Sequence, residues 1–158
     1  MLDRSILNGV YDLHIHTGPS VAKRMLDAGE MMKCAMDAGY AGYLVKDHYA
    51  PSTHGCLVVE KNIGDGSCKA LSSIALNNCV GGLNLLALDV VYNMGTRMVY
   101  MPTVSSLFHI EGHNMQVCVC APLLRLSATL YSPAVSEASG VSRTYAHTRP
   151  PDAGIFLL

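Results

Sequence analysis

Val10-Tyr11-Asp12-Leu13-His14-Ile15-His16-Thr17-Gly18-Pro19-Ser20 runs an apolar strand into two histidines one residue apart and then into a Gly-Pro turn. On a strand the side-chain period is two, so Asp12, His14 and His16 are expected on one face and Tyr11, Leu13 and Ile15 on the other, apolar one. Same-face neighbours lie roughly 6.6 Å apart along a strand. That spacing lets two imidazoles lean toward a single ion at the strand's end. A pair of histidines at a solvated strand end is the plainer reading, and the neighbouring segments decide between the two.

Working outward, residues 22–38 read as a helix, with Ala28, Met31, Met32 and Ala35 on one stripe and Asp27, Glu30, Lys33 and Asp37 opposite. Gly39 is placed to cap it, and Tyr40-Ala41-Gly42-Tyr43-Leu44-Val45 starts a second strand at once. A strand-helix-strand crossover makes the strands parallel and brings their C-terminal ends to one edge, so Lys46-Asp47-His48 arrives beside His14 and His16. A second helix is expected from Pro51-Ser52-Thr53 to about Asn62, with Ser52 or Thr53 as its cap. A third strand over 71–76, a helix over 83–94 closed by Gly95, and a fourth strand at Met98-Val99-Tyr100-Met101 repeat the alternation. The fold class is therefore α/β, an incomplete (β/α) barrel of parallel strands with about four βα units, whose active edge is the C-terminal one.

The cadence stops near Asn114. Residues 115–158, with Cys118-Val119-Cys120, Pro122 and a Ser/Ala/Thr/Pro-rich run to Pro150-Pro151, are expected to form an irregular tail after a partial-barrel domain spanning 1–114. A full (β/α)₈ barrel needs about 250 residues, against 158 here. A truncated or frame-shifted copy would look like this.

Half of the residues are hydrophobic, 15% are charged, and the net charge is -1, as in one well-buried globular domain. With no basic run and no span-length apolar segment, neither nucleic acid nor a membrane is an expected partner. A small-molecule substrate and a cytoplasmic setting are expected instead, with self-association through an exposed sheet edge. The six cysteines lack framework spacing and read as small buried hydrophobes in a reducing compartment.

Catalytic zinc sites use about three protein ligands and keep one position open. His14, His16 and His48 meet that count from two adjacent strand ends. If β-geometry persists, Lys46 and His48 face inward and Asp47 away, although a turn at Asp47 would reverse it. Asp47 is the nearest candidate base. Lys46 reads first as an inward salt-bridging lysine, and otherwise as a modified metal-bridging lysine or a contact to a substrate anion. Asp12 is a candidate acceptor for a ligand imidazole.

Asp12-Leu13-His14-Ile15-His16-Thr17, then Ala38-Gly39-Tyr40 and Val45-Lys46-Asp47-His48, resembles the amidohydrolase superfamily and its histidinol-phosphatase-like (PHP) relatives. With Gly18-Pro19-Ser20, Asn77-Asn78, Gly81-Gly82-Leu83-Asn84 and Met101-Pro102-Thr103, it is most similar to an uncharacterised amidohydrolase-like bacterial group. The resemblance covers about Val10 to Asn114. It implies that His14, His16 and His48 are ligands to zinc or manganese in a metal-dependent hydrolase acting on an amide, lactone or phosphate ester; Lys46 and Asp47, from their positions, are the candidate catalytic side chains. The chain departs from PHP proteins at Asn77-Asn78, where an acidic ligand is often found, which points to one ion. His109 and His113, spaced i, i+4, are an exposed pair that partly substitutes for the missing later histidines or has no function. The competing readings are a non-catalytic truncated fragment and a metal- or small-molecule-binding module without turnover.

Overall fold

The computed structural model describes residues 3–113 and 156–157. Four parallel strands, β1 (Tyr11–Ile15), β2 (Gly42–Val45), β3 (Lys69–Ala75) and β4 (Met98–Tyr100), lie in sequence order and curl into a half-barrel. The crossovers are α1 (Ala28–Asp37), α2 (Thr53–Asn62) and α3 (Leu85–Asn93), and a short α4 (Leu107–Gly112) follows β4. A two-residue strand, β5 (Phe156–Leu157), pairs in parallel with β4. The remainder of the expected irregular tail lies outside the described residues. None of the described helices is long and apolar enough to cross a membrane.

Strand alternation sorts the core into two sides. Tyr43 and Val45 face outward onto Met32 and Ala35 of α1 and onto Cys56 and Val59 of α2. Leu44 faces inward with Leu71, Ala75, Met98 and Tyr100. Farther along the sheet, Ile74, Leu76 and Val99 pack outward onto Val91 of α3. All four residues of β2 are buried, as in a strand covered on both faces.

Several local expectations shift. Helix α1 keeps the predicted stripe, with Met32 and Ala35 buried, but it starts at Ala28 instead of residue 22. Asp27 and Glu30 form a capping box there: Asp27 Oδ1 accepts from Glu30 N–H at 2.7 Å, and Glu30 Oε2 accepts from Asp27 N–H at 2.9 Å. The preceding loop is closed on itself, with Gly18 N–H donating to the Leu26 carbonyl and Ala28 N–H to the Gly18 carbonyl, both at 2.9 Å. At the other end the C-terminal turn is as read: Gly39 has φ +78°, and Tyr40 N–H donates to the Ala35 carbonyl at 2.9 Å, closing a Schellman motif.

Ser52 precedes α2 without capping it by side chain. Its hydroxyl instead donates to the Val45 carbonyl at 2.8 Å and accepts from Ser73 N–H at 2.8 Å, pinning the helix start to β2 and β3. The strand of 71–76 is found at 69–75, and the helix of 83–94 at 85–93, where Asn84 caps it by accepting from Ala87 N–H. Tyr11 and Leu13, on the face read as apolar, are 50% and 55% exposed, β1 being an edge strand that pairs only with β2 among the described residues. Cys56 and Cys68 are buried as expected, whereas Cys34 and Cys79 are exposed, and all four are free thiols.

Candidate functional site

The parallel register brings the ends of β1 and β2 to one edge, where Lys46 N–H donates to the Ile15 carbonyl at 2.8 Å. The ladder between β1 and β2 shifts between Asp12 and Ile15, which turns the histidine segment out of simple alternation. His14 Nε2 and His16 Nε2 then stand 3.2 Å apart. Two nitrogens bound tetrahedrally to one ion at about 2.0–2.1 Å are roughly 3.3 Å from each other, so this pair has ligand spacing. The His48 ring stacks on His16 with centroids 5.1 Å apart and planes 28° apart. The three predicted imidazoles are thus brought together. Stacked rings do not aim at one point, and among the described residues no three His, Cys, Asp or Glu side chains already surround one ion position. Turning His48 about its side-chain bonds is what a shared ion requires.

Two of the rings are held from behind. His16 Nδ1 lies 2.5 Å from the Lys46 carbonyl, which can only accept, so Nδ1 carries the proton and Nε2 presents its lone pair. His48 Nδ1 is 2.8 Å from Thr103 Oγ1. Thr103 in turn is fixed by Asn77, whose buried side chain uses all its bonds. Asn77 Nδ2 donates to Thr103 Oγ1 and to the His48 carbonyl, both at 2.9 Å, and Oδ1 accepts from the Thr103 and Ser105 N–H groups at 2.8 and 3.1 Å. Asn77, which the sequence offered only as a poor substitute for an acidic ligand, is the clamp that joins the end of β2 to the loop after β4. No sequence motif signals it, because its partners are distant in the chain.

Burial pushes the His16 imidazole below its ordinary value; the hydrogen bond to the Lys46 carbonyl opposes this, and the charges of Arg24, His14 and Lys46 reinforce it. Burial also lowers His48, helped by Lys46, His16 and Arg24 and opposed by Asp47. Both shifts favour the neutral, ligand-competent imidazole. They also mean that the unfolded chain binds more protons between the lowered values and the ordinary imidazole range, so these groups withdraw stability as pH falls through that window.

Lys46 is buried with its ammonium 4.5 Å above the Tyr100 ring, and burial lowers it as well. It makes no salt bridge with a carboxylate among the described residues, contrary to the first reading of an inward ion pair. Asp47 faces away, as alternation requires, and its Oδ1 accepts from the Tyr49 and Ala50 N–H groups at 2.6 and 3.2 Å. Asp12 does not support an imidazole; its Oδ1 accepts from the His14 backbone N–H at 3.0 Å. His109 and His113 sit together at the end of α4, ring centroids 4.5 Å apart. A cleft of about 550 Å³ opens on the opposite side of the strand ends, between α1 and α2, lined by Tyr43, Val45, Asp47, Cys56 and Val59 among others. Its lining is mostly apolar and holds none of the three imidazoles.

No curated protein and no solved structure matches the chain. Residues 9–143 match the family of unknown function DUF6282, a range that holds the three histidines and Asn77 and continues past Asn114. The chain belongs to that family.

Proposed function

We propose that the protein is a metal-dependent hydrolase of amidohydrolase or PHP type, with His14, His16 and His48 as ligands. The observation that carries this reading is the 3.2 Å separation of His14 Nε2 and His16 Nε2 with His48 stacked beside them. An all-imidazole donor set suits zinc better than manganese, which favours oxygen ligands. A divalent ion supplies Lewis acidity to a scissile carbonyl or phosphoryl group and acidifies water. The chain's own part is orientation: the Lys46 carbonyl sets the His16 tautomer, and Thr103, braced by Asn77, holds His48. Of the two catalytic side chains the sequence offers, Lys46 faces the inner side with the imidazoles, whereas Asp47, the candidate base, faces the other way.

A binding module without turnover is the second reading. It is favoured by Asp47, whose Oδ1 is occupied by two backbone N–H groups, leaving proton abstraction to its other oxygen.

The test is elemental analysis and turnover of amide, lactone and phosphate-monoester substrates by the full chain, before and after chelation, with His14→Ala alongside. Zinc near one equivalent, lost in His14→Ala, together with chelator-sensitive turnover is the expected result. Metal without turnover assigns the binding module. Unchanged metal content in His14→Ala, or turnover that survives both chelation and His14→Ala, overturns the metal reading.

A further inference from the structure

Among the described residues, two cations at or beside the strand ends, Lys46 and Arg24, have no carboxylate partner. Lys46 is only 8% exposed, and among the described residues its ammonium has the Tyr100 ring for a partner and no carboxylate. Burying an ammonium is expensive unless it is paired, and a single aromatic face returns only part of that cost. Arg24 sits on the loop that leaves His16 and is closed by the Gly18 hydrogen bonds. Its Nε is buried with no hydrogen-bond partner among the described residues. Lys46 belongs to the same strand end as the imidazoles, its carbonyl bonded to His16 Nδ1, and the charges of both Lys46 and Arg24 are felt at His16 and His48. Among the described residues Asp47 is the carboxylate felt there, at His48, and it is turned into its own backbone turn.

We infer that the substrate of this site carries an anionic oxygen group, a carboxylate or a phosphate, received by Lys46 and Arg24 beside the three histidines. The inference rests on the hydrolase reading for the word substrate, and, for the anion, on two cations without a carboxylate partner among the described residues. A guanidinium offers parallel N–H donors matched to two oxygens of either group, and a buried ammonium adds a point charge in a medium of low polarity. Such an anion supplies the missing partner of Lys46 and the missing acceptor of Arg24 at once. It also explains why the lysine tolerates burial at an edge that faces the barrel mouth.

The probes are orthophosphate and acetate, titrated calorimetrically into the full chain at constant ionic strength without added metal. Saturable binding of at least one is expected, weakened roughly tenfold by Lys46→Met and by Arg24→Gln, as loss of a charge-assisted hydrogen bond would do. The tighter probe identifies the group as phosphate or carboxylate. Circular dichroism checks that each variant is folded, and Arg24→Gln, on an irregular loop, carries the test if Lys46→Met does not fold. Binding of neither probe, or binding unaltered in folded variants, overturns the inference. Zinc content measured in parallel separates the two claims: zinc retained with no anion bound removes only the anion site, whereas anion bound by a chain that takes up no zinc removes only the hydrolase reading.

Discussion

At the residue scale the least conspicuous position governs the most. Asn77 is fully buried and joins the His48 carbonyl, the Thr103 hydroxyl and two backbone N–H groups through one amide. Its removal leaves buried donors and acceptors unpaired, each costing about 1–3 kcal/mol. Asn77→Ala is therefore expected to destabilise the fold by roughly 3 kcal/mol in urea titration and, on the proposed metal reading, to lower zinc affinity by freeing the ring of His48. Asn77→Asp should not rescue it, because the carboxylate keeps the two acceptor contacts, loses the two donor ones and buries a charge. A variant of wild-type stability and zinc content would show that the clamp is dispensable. Read from sequence, Asn77 is a neutral amide where an acidic ligand was sought. Nothing local reveals that Thr103 and Ser105 return to it.

At the scale of elements, the strand order and the burial of Met32 and Ala35 follow from apolar spacing, and the meeting of His14, His16 and His48 follows from parallel crossovers. These were legible because each depends on local periodicity plus one topological rule. The start of α1 was not, since the Gly18 to Leu26 closure spends the residues that periodicity alone would have placed in the helix. Nor was the exposure of Tyr11 and Leu13, which follows from β1 having β2 as its one strand neighbour among the described residues and not from anything within the strand. The capping box at Asp27 holds this boundary. Asp27→Ala is expected to cost about 1 kcal/mol in denaturant unfolding, the usual loss for an N-cap. An unchanged midpoint would mean that the loop closure at Gly18 fixes the helix start by itself.

For the whole molecule, the half-barrel leaves one edge covered and one open. Phe156–Leu157 pairs along β4, while the outer side of β1 has no strand partner among the described residues, although the Tyr100 hydroxyl reaches the Leu13 carbonyl at 3.3 Å. Unpaired strand edges recruit other chains. Sedimentation velocity over a range of concentration is expected to show self-association that Leu13→Lys, a charge on the 55% exposed edge residue, reduces. A monomer at every concentration would show that this edge is protected. The amide that braces His48 spans 29 residues to reach it, and the contact of His48 with Thr103 spans 55. Contacts of such separation form late, because chain entropy must be spent before they repay it. A chain emerging from the ribosome therefore has its two-histidine pair long before the third ring is aimed. An ion bound by all three would favour only the finished molecule. On the proposed metal reading, an ion would not seed this fold; it would tie the end of β2 to the end of β1 after the fact, and its tight uptake would be a readout of completed folding.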